Sequence, residues 1–168
     1  MPIGARFFNK MLLKKELCLI FCSVVIIFFY LMTRPFLFFV SDANLLLAVP
    51  ASPKSEFSIH FIHSVQKTPV LENLMISESG KEFILLSTKY QSFGVGLPFL
   101  LSEGDFHQEN DYFIFDNINR HFDQLTLRTG LGTKLTIIYK EHEYPIYKKV
   151  APGSKVDLQI APYYKRFM

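Results

Sequence analysis

The stretch that decides the fold runs from Phe57 to Ile76 and reads FSIHFIHSVQKTPVLENLMI. Side chains alternate between the two faces of a β-strand. In the first half, this alternation puts His63 on an apolar face, and in the second half it does the same with Glu72. Pro69 ends the polar connection SVQKT and fixes a turn. The pattern therefore predicts a β-hairpin whose apolar faces carry one histidine and one glutamate.

A regular hairpin brings His63 close to Glu72, with the hydroxyls of Ser64 and Thr68 nearby. A carboxylate on an apolar face must be paired or hydrogen-bonded, or it takes up a proton. One interpretation is a buried polar network of these four residues that holds the loop. The other is a ligand-binding or catalytic pair. The structural interpretation is preferred because no nucleophile motif accompanies the pair.

The N-terminal residues predict a membrane anchor. Residues 17–33 are apolar and uncharged, and three lysines lie within residues 1–16. A helix of this length crosses most of a hydrocarbon core about 30 Å thick. The basic excess before it predicts a cytoplasmic N-terminus and an extracytoplasmic domain, in a single-pass protein of the cell membrane.

Cleavage of this segment as a signal peptide is the alternative. Ser41-Asp42-Ala43 offers a small-x-small cleavage site. That site lies well past the apolar run, whereas a signal peptide is usually cut close behind its apolar region. The uncleaved anchor is therefore preferred.

Charge and cysteine usage narrow the class of protein. Of the 18 basic and 15 acidic residues, five basic and one acidic precede residue 36, which leaves 13 basic and 14 acidic residues behind it. This balance, without a basic run, argues against a nucleic-acid partner. Both cysteines, Cys18 and Cys22, lie in the apolar run, so the remaining chain has neither a disulfide framework nor a cysteine metal site. We predict no metal and no cofactor.

Residues 36–168 predict an all-β domain. Short alternating runs are separated by turn residues, and helical periodicity is almost absent. Eight to ten short strands are expected, a number that fits a sandwich or a partly closed barrel. In the run FILLSTKY, alternation puts Phe83 and Leu85 on one face and Thr88 and Tyr90 on the other.

A glycine-containing loop, QSFGVGLP, follows from Gln91 to Pro98. Its Gly94 and Gly96 do not begin a phosphate-binding motif, because the third glycine and the following helix are missing. We expect these glycines to permit a bulge, a tight bend or a close approach of the backbone. The polar residues 102–111 behind them are predicted to form a solvated loop.

Two motifs resemble those of a bacterial family, the domain of unknown function number eighteen-fifty. The first, HSV-x-x-T-P-V-x-E, is carried by His63, Ser64, Val65, Thr68, Pro69, Val70 and Glu72. The second, S-F-G-x-G-x-P, is carried by Ser92, Phe93, Gly94, Gly96 and Pro98. The resemblance extends from about Phe36 to the C-terminus.

The resemblance implies a role connected with solute transport, but it does not imply a molecular mechanism. Members of that family have no established activity, and many are encoded beside TRAP-type transporters, especially those with a TAXI-class solute receptor. We therefore expect an accessory or binding module for such a transporter, anchored in lipid by its N-terminal helix. Its expected partner is the transporter membrane subunit or the solute receptor.

Two alternatives stay open at this point. One is an extracytoplasmic enzyme that uses His63 as a general base oriented by Glu72. The other is a purely structural subunit of a membrane complex. A non-enzymatic role is preferred because the sequence shows no nucleophile, oxyanion-hole or metal-ligand pattern.

Overall fold

A computed structural model describes residues 3–92 and 104–167, with side chains from 14 to 92 and from 104 to 166. The chain begins with one long helix, α1 (Ile3–Thr33), and twelve strands follow within the described residues. The strands are β1 (Pro35–Ser41), β2 (Asn44–Pro50), β3 (Glu56–Ile62), β4 (Pro69–Ile76), β5 (Phe83–Tyr90), β6 (Asp105–Glu109), β7 (Tyr112–Asp116), β8 (Arg120–Phe122), β9 (Leu125–Arg128), β10 (Thr136–Tyr139), β11 (His142–Pro145) and β12 (Lys155–Pro162). The described residues also form two short 3-10 helices, Ile146–Lys148 and Tyr163–Phe167.

Helix α1 contains a segment that is long and apolar enough to cross a bilayer. This segment, Lys14–Thr33, has 20 residues, and none of its most apolar stretch is buried against other parts of the protein. At about 1.5 Å per residue it spans about 30 Å, the thickness of a hydrocarbon core. Helix α1 is thus a candidate membrane span or signal anchor.

The strands form two sheets. The smaller sheet has the order β2-β1-β12-β9. The larger sheet has the order β11-β10-β3-β4-β5-β7-β6, and β8 pairs with β5 off this path. The predicted hairpin is confirmed as β3 and β4, which pair antiparallel in the middle of the larger sheet.

The core fills the space between the two sheets. Phe57 of β3 lies between Phe39 of β1 and Phe83 of β5, with ring centroids 6.5 and 6.0 Å away and edge-to-face geometry. Such T-shaped contacts are a favoured arrangement of aromatic pairs. The two sheets and their core belong to one compact unit, Pro35–Ala161, and α1 forms another unit with the residues from Pro162 onward.

The all-β prediction is confirmed, but the described residues contain more strands than expected. Part of the excess comes from the predicted solvated loop at 102–111, because Asp105–Glu109 forms β6. This strand pairs with β7 at the edge of the larger sheet, and all of its side chains are exposed. An exposed edge strand does not need the apolar alternation by which strands are recognised, so the sequence showed no strand there.

The predicted faces of β5 are wrong in the second half of the strand. Opposite β4, Leu74 pairs with Leu85 but Asn73 pairs with Ser87, so Leu86 is an extra residue. A bulge of this kind inserts one residue and shifts the alternation that follows it. Thr88 therefore faces the core together with Leu85, and both are buried.

Candidate functional site

The loop between β3 and β4 is closed by the backbone of His63. Its N–H donates to the carbonyl oxygen of Thr68 at 2.8 Å, and its carbonyl oxygen accepts from the N–H of Lys67 at 3.0 Å. Lys67 has a φ of 57°, the left-handed conformation that few L-residues adopt. The motif residues at 63 and 68 thus hold the two ends of the loop together.

The imidazole of His63 also forms hydrogen bonds with the loop. The side chain is buried, and its Nδ1 accepts from the backbone N–H groups of Val65 at 3.3 Å and Gln66 at 3.1 Å. A ring nitrogen that accepts hydrogen bonds carries no proton. In the neutral ring, the proton therefore lies on Nε2, and His63 can offer a donor on that side.

Glu72 faces the space between the sheets. It lies opposite Ile59 on β3 and opposite Thr88 on β5, so the three side chains share the inner face of the larger sheet. The carboxyl is half-buried, and this burial raises its pKa above the ordinary value of 4.5. The positive charge of Arg120 acts in the opposite direction and lowers the pKa by less.

The sequence suggested that His63 pairs with Glu72. In the described part of the chain, no hydrogen bond joins the two side chains. Nδ1 of His63 is taken by the loop amides, and the charge that acts on Glu72 is that of Arg120. Arg120 reaches the inner face because it lies opposite Leu85 in the pairing of β5 with β8. The two motif residues nevertheless line one cleft.

Unpaired hydroxyls lie close to the same motif. Oγ1 of Thr88 is fully buried and has no hydrogen-bond partner within residues 14–92 and 104–166. Oγ1 of Thr68 is likewise buried and unpaired there, although the Thr68 carbonyl oxygen is used by His63. A buried hydroxyl without a partner costs free energy, and such groups are uncommon in folded proteins.

The cleft has a volume of about 470 Å³ and opens between the centre of the larger sheet and the edge of the smaller one. Its polar lining combines the motif with β9 and the loop after it: His63, Ser64, Glu72, Thr126, Arg128, Thr129 and Thr133. Apolar residues such as Ile59, Phe61 and Leu127 fill the rest of the wall. A concave, mostly apolar site with a few convergent polar groups is the usual form of a small-molecule pocket.

The structure thus brings some of the predicted site residues into the lining of the cleft. His63, Ser64 and Glu72 line the cleft, whereas Thr68 holds the loop through its backbone. Ser92 is half-buried in a bend after β5. The other predicted residues of the glycine loop lie outside the described residues: Phe93, Gly94, Gly96 and Pro98.

Sequence reasoning missed Arg120, Thr88 and the contribution of β9. Arg120 stands in the segment NINRHF, which shows no clear periodicity, and only the pairing of β8 with β5 turns it inward. Thr88 was placed on the wrong face because of the bulge at Leu86. No local pattern in the sequence predicts the β8–β5 pairing or the bulge.

No metal centre is formed by the residues that the structure describes. Among them, no three histidine, cysteine or acidic side chains lie close enough together to hold an ion. The two cysteines are free and exposed on α1.

Comparison with known proteins gives one match. Residues 57–146 match the family described as Domain of unknown function (DUF1850). No curated protein and no solved structure matches the chain. The matched span is more than half of the chain and contains the β3–β4 hairpin, the His63 loop, Glu72 and β9. The chain therefore belongs to the DUF1850 family.

Proposed function

We propose that this protein is a membrane-anchored binding module for solute transport, and that its cleft receives a ligand or partner segment at Glu72. The observation that carries the proposal is the state of that carboxyl. It is half-buried on an inner face and lines the cleft, and its burial raises the pKa by more than the charge of Arg120 lowers it. Burial of such a group is unfavourable unless something pairs with it. A ligand with an ammonium or amide N–H would supply that pairing.

Other groups of the cleft indicate which further features a ligand would have. A neutral His63 presents Nε2–H as a donor, so a ligand acceptor can meet it. Arg128 adds a positive charge on β9, although its Nη1 also donates to the carbonyl oxygen of Gly153 at 3.1 Å. A small polar solute or an extended peptide with both donors and acceptors fits this lining.

The hydrogen bonding of His63 favours binding over base catalysis. A general base of the His–carboxylate type needs the carboxylate on one ring nitrogen and a free lone pair on the other. Here Nδ1 accepts from Val65 and Gln66, so the proton of the neutral ring occupies Nε2. A histidine in this state donates a hydrogen bond and does not remove a proton through Nε2.

The anchor determines where this binding takes place. We propose that Lys14–Thr33 crosses the cell membrane with the N-terminus in the cytoplasm, because the basic excess precedes the span. The β-sandwich then lies outside the cytoplasm, where solute receptors of TRAP/TAXI-type transporters act. The proposed transport role is supported by the resemblance to a family whose members are often encoded beside such transporters.

The test is a crosslinked pull-down of the intact protein from its native membranes. We expect enrichment of a TRAP-type membrane subunit or a solute receptor, and loss of that enrichment in Glu72→Gln. This variant keeps the size of the side chain and removes its charge. Glu56→Gln is the matched control, since Glu56 is an exposed acid on the neighbouring strand β3.

Two results would count against the proposal. Absence of any transporter component, under conditions that recover a known membrane complex, would refute a stable association. Equal enrichment in Glu72→Gln and the unchanged protein would leave the association but remove the cleft from it. Circular dichroism of each purified variant establishes that the fold is retained.

A further inference from the structure

We propose that the C-terminal 3-10 helix, Tyr163–Phe167, is a second membrane contact that binds anionic lipid headgroups beside the end of α1. This inference rests on the proposed crossing of the membrane by α1. It is independent of the cleft and of the transporter. The structure gives this segment a definite place.

That place is fixed by contacts with the end of α1. The backbone N–H of Tyr163 donates to the carbonyl oxygen of Arg34 at 2.9 Å. The 3-10 helix also packs against α1, and the two belong to the same compact unit. Arg34 directly follows the last helical residue, Thr33. The tail is therefore held where the apolar segment ends.

The length of the span places this point at the bilayer surface. The apolar segment Lys14–Thr33 covers about 30 Å, which matches the hydrocarbon core of a bilayer. One end of the segment carries Lys14 and Lys15, and the other is followed by Arg34. A residue that is hydrogen-bonded to Arg34 accordingly lies at the level of the headgroups.

The side chains of the tail are basic and aromatic, as expected for residues that contact lipid headgroups. Tyr164, Lys165 and Arg166 are exposed, and no acidic residue interrupts the segment from Pro162 to Met168. Arg166 donates from Nη1 to the Tyr163 hydroxyl at 2.8 Å.

A similar pair ends α1, where the Arg34 guanidinium lies 5.6 Å from the centroid of the Tyr30 ring. Tyrosine is enriched at membrane interfaces, and basic residues near the surface are attracted to anionic lipids. The end of α1 and the tail thus form one aromatic and basic cluster.

The test uses the absence of tryptophan from the sequence. The variant Tyr164→Trp has its single tryptophan in the tail, and Phe21→Trp has its single tryptophan on the exposed apolar surface of α1. Each full-length variant is reconstituted into phosphatidylcholine vesicles, with or without phosphatidylglycerol, that contain brominated lipids. We expect bromines near the headgroup to quench Tyr164→Trp more strongly than bromines at the ends of the acyl chains. For Phe21→Trp we expect the reverse.

The two positions separate the tail from the anchor. Quenching of Phe21→Trp without quenching of Tyr164→Trp would overturn the tail contact and leave the anchor intact. No quenching at either position would overturn the anchor, and the tail contact with it.

A separate comparison tests whether the tail contact depends on the negative charge of the lipid. We expect stronger quenching of Tyr164→Trp in vesicles that contain phosphatidylglycerol, and loss of this difference when Lys165→Ser and Arg166→Ser are added. Equal quenching in both kinds of vesicle would overturn the assignment to anionic headgroups.

Discussion

At the scale of single residues, Glu72 links the stability of the protein to pH. Its folded pKa lies above the ordinary 4.5 because of burial, so just above pH 4.5 the folded chain holds a proton that the unfolded chain has lost. This group's contribution to stability is complete below pH 4.5 and declines as the pH rises through the folded pKa. An acid that is kept at this cost is typical of a site used for binding.

The corresponding prediction is that Glu72→Gln raises the thermal unfolding midpoint at pH 8. The glutamine cannot ionise, so the variant avoids the cost of a buried charge. Its advantage should shrink as the pH falls through the folded pKa toward 4.5, because the folded glutamate takes up its proton over this range. Thermal melts of both proteins in detergent across this range provide the measurement. A constant difference at all pH values would contradict the assignment of burial as the cause.

The hydroxyl of Thr88 provides a second prediction at this scale. Thr88→Val removes a buried group without a partner in the described residues, and we expect a gain of about 1 kcal/mol in the free energy of unfolding. Thr129→Val is the control, because Oγ1 of Thr129 donates to the carbonyl oxygen of Ala151 at 2.8 Å. That change should cost about 1 kcal/mol. Denaturant unfolding compares the pair, and a loss at both positions would show that Thr88 is satisfied.

At the scale of elements, the β3–β4 hairpin depends on the ring of His63. His63→Ala leaves the N–H groups of Val65 and Gln66 without their acceptor, and we expect a loss of about 1–3 kcal/mol. His63→Asn should recover part of this loss, because a short side-chain oxygen can also accept from backbone N–H groups two or three residues ahead. Unfolding curves of the three proteins test the ranking. Equal stability of Ala and Asn would show that Nδ1 does not hold the loop.

The hairpin also shows which features of the fold can be predicted. Alternation correctly put Glu72 on the same face as Ile59, because both strands are regular where they pair. The same rule failed in β5, where the extra residue Leu86 reverses the alternation. The N–H of Ile118 donates to the carbonyl oxygen of Leu86 at 3.1 Å, so the bulge is held by residues distant in the chain. Local pattern cannot report a contact of that kind.

The site was predictable to the same extent. Its histidine and glutamate stood out because each interrupts an apolar face within one hairpin. Arg120 and β9 reach the cleft through pairings made far along the chain. Predicting them would have required the strand order of both sheets.

At the scale of the whole molecule, we expect the sandwich to fold without α1. Both sheets and their core lie within Pro35–Ala161. We therefore expect a chain that starts at Arg34 to retain a β-type circular dichroism spectrum. Its unfolding midpoint should lie within about 3 °C of the intact protein, a shift that corresponds to about 1 kcal/mol. An unfolded product would show that α1 contributes to the stability of the sandwich.

Lys149 affects how copies of the protein would meet if the proposed anchor held many of them in one membrane. Its Nζ donates to the carbonyl oxygen of Leu46 at 2.6 Å, at the residue where the outer strand β2 bulges against β1. Bulges and lysines on outer strands hinder the addition of a foreign strand. Copies confined to a plane with one orientation collide edge to edge far more often than copies in free solution. In that proposed arrangement, we expect the Lys149 contact and the Leu46 bulge to hinder strand-by-strand aggregation of neighbouring copies.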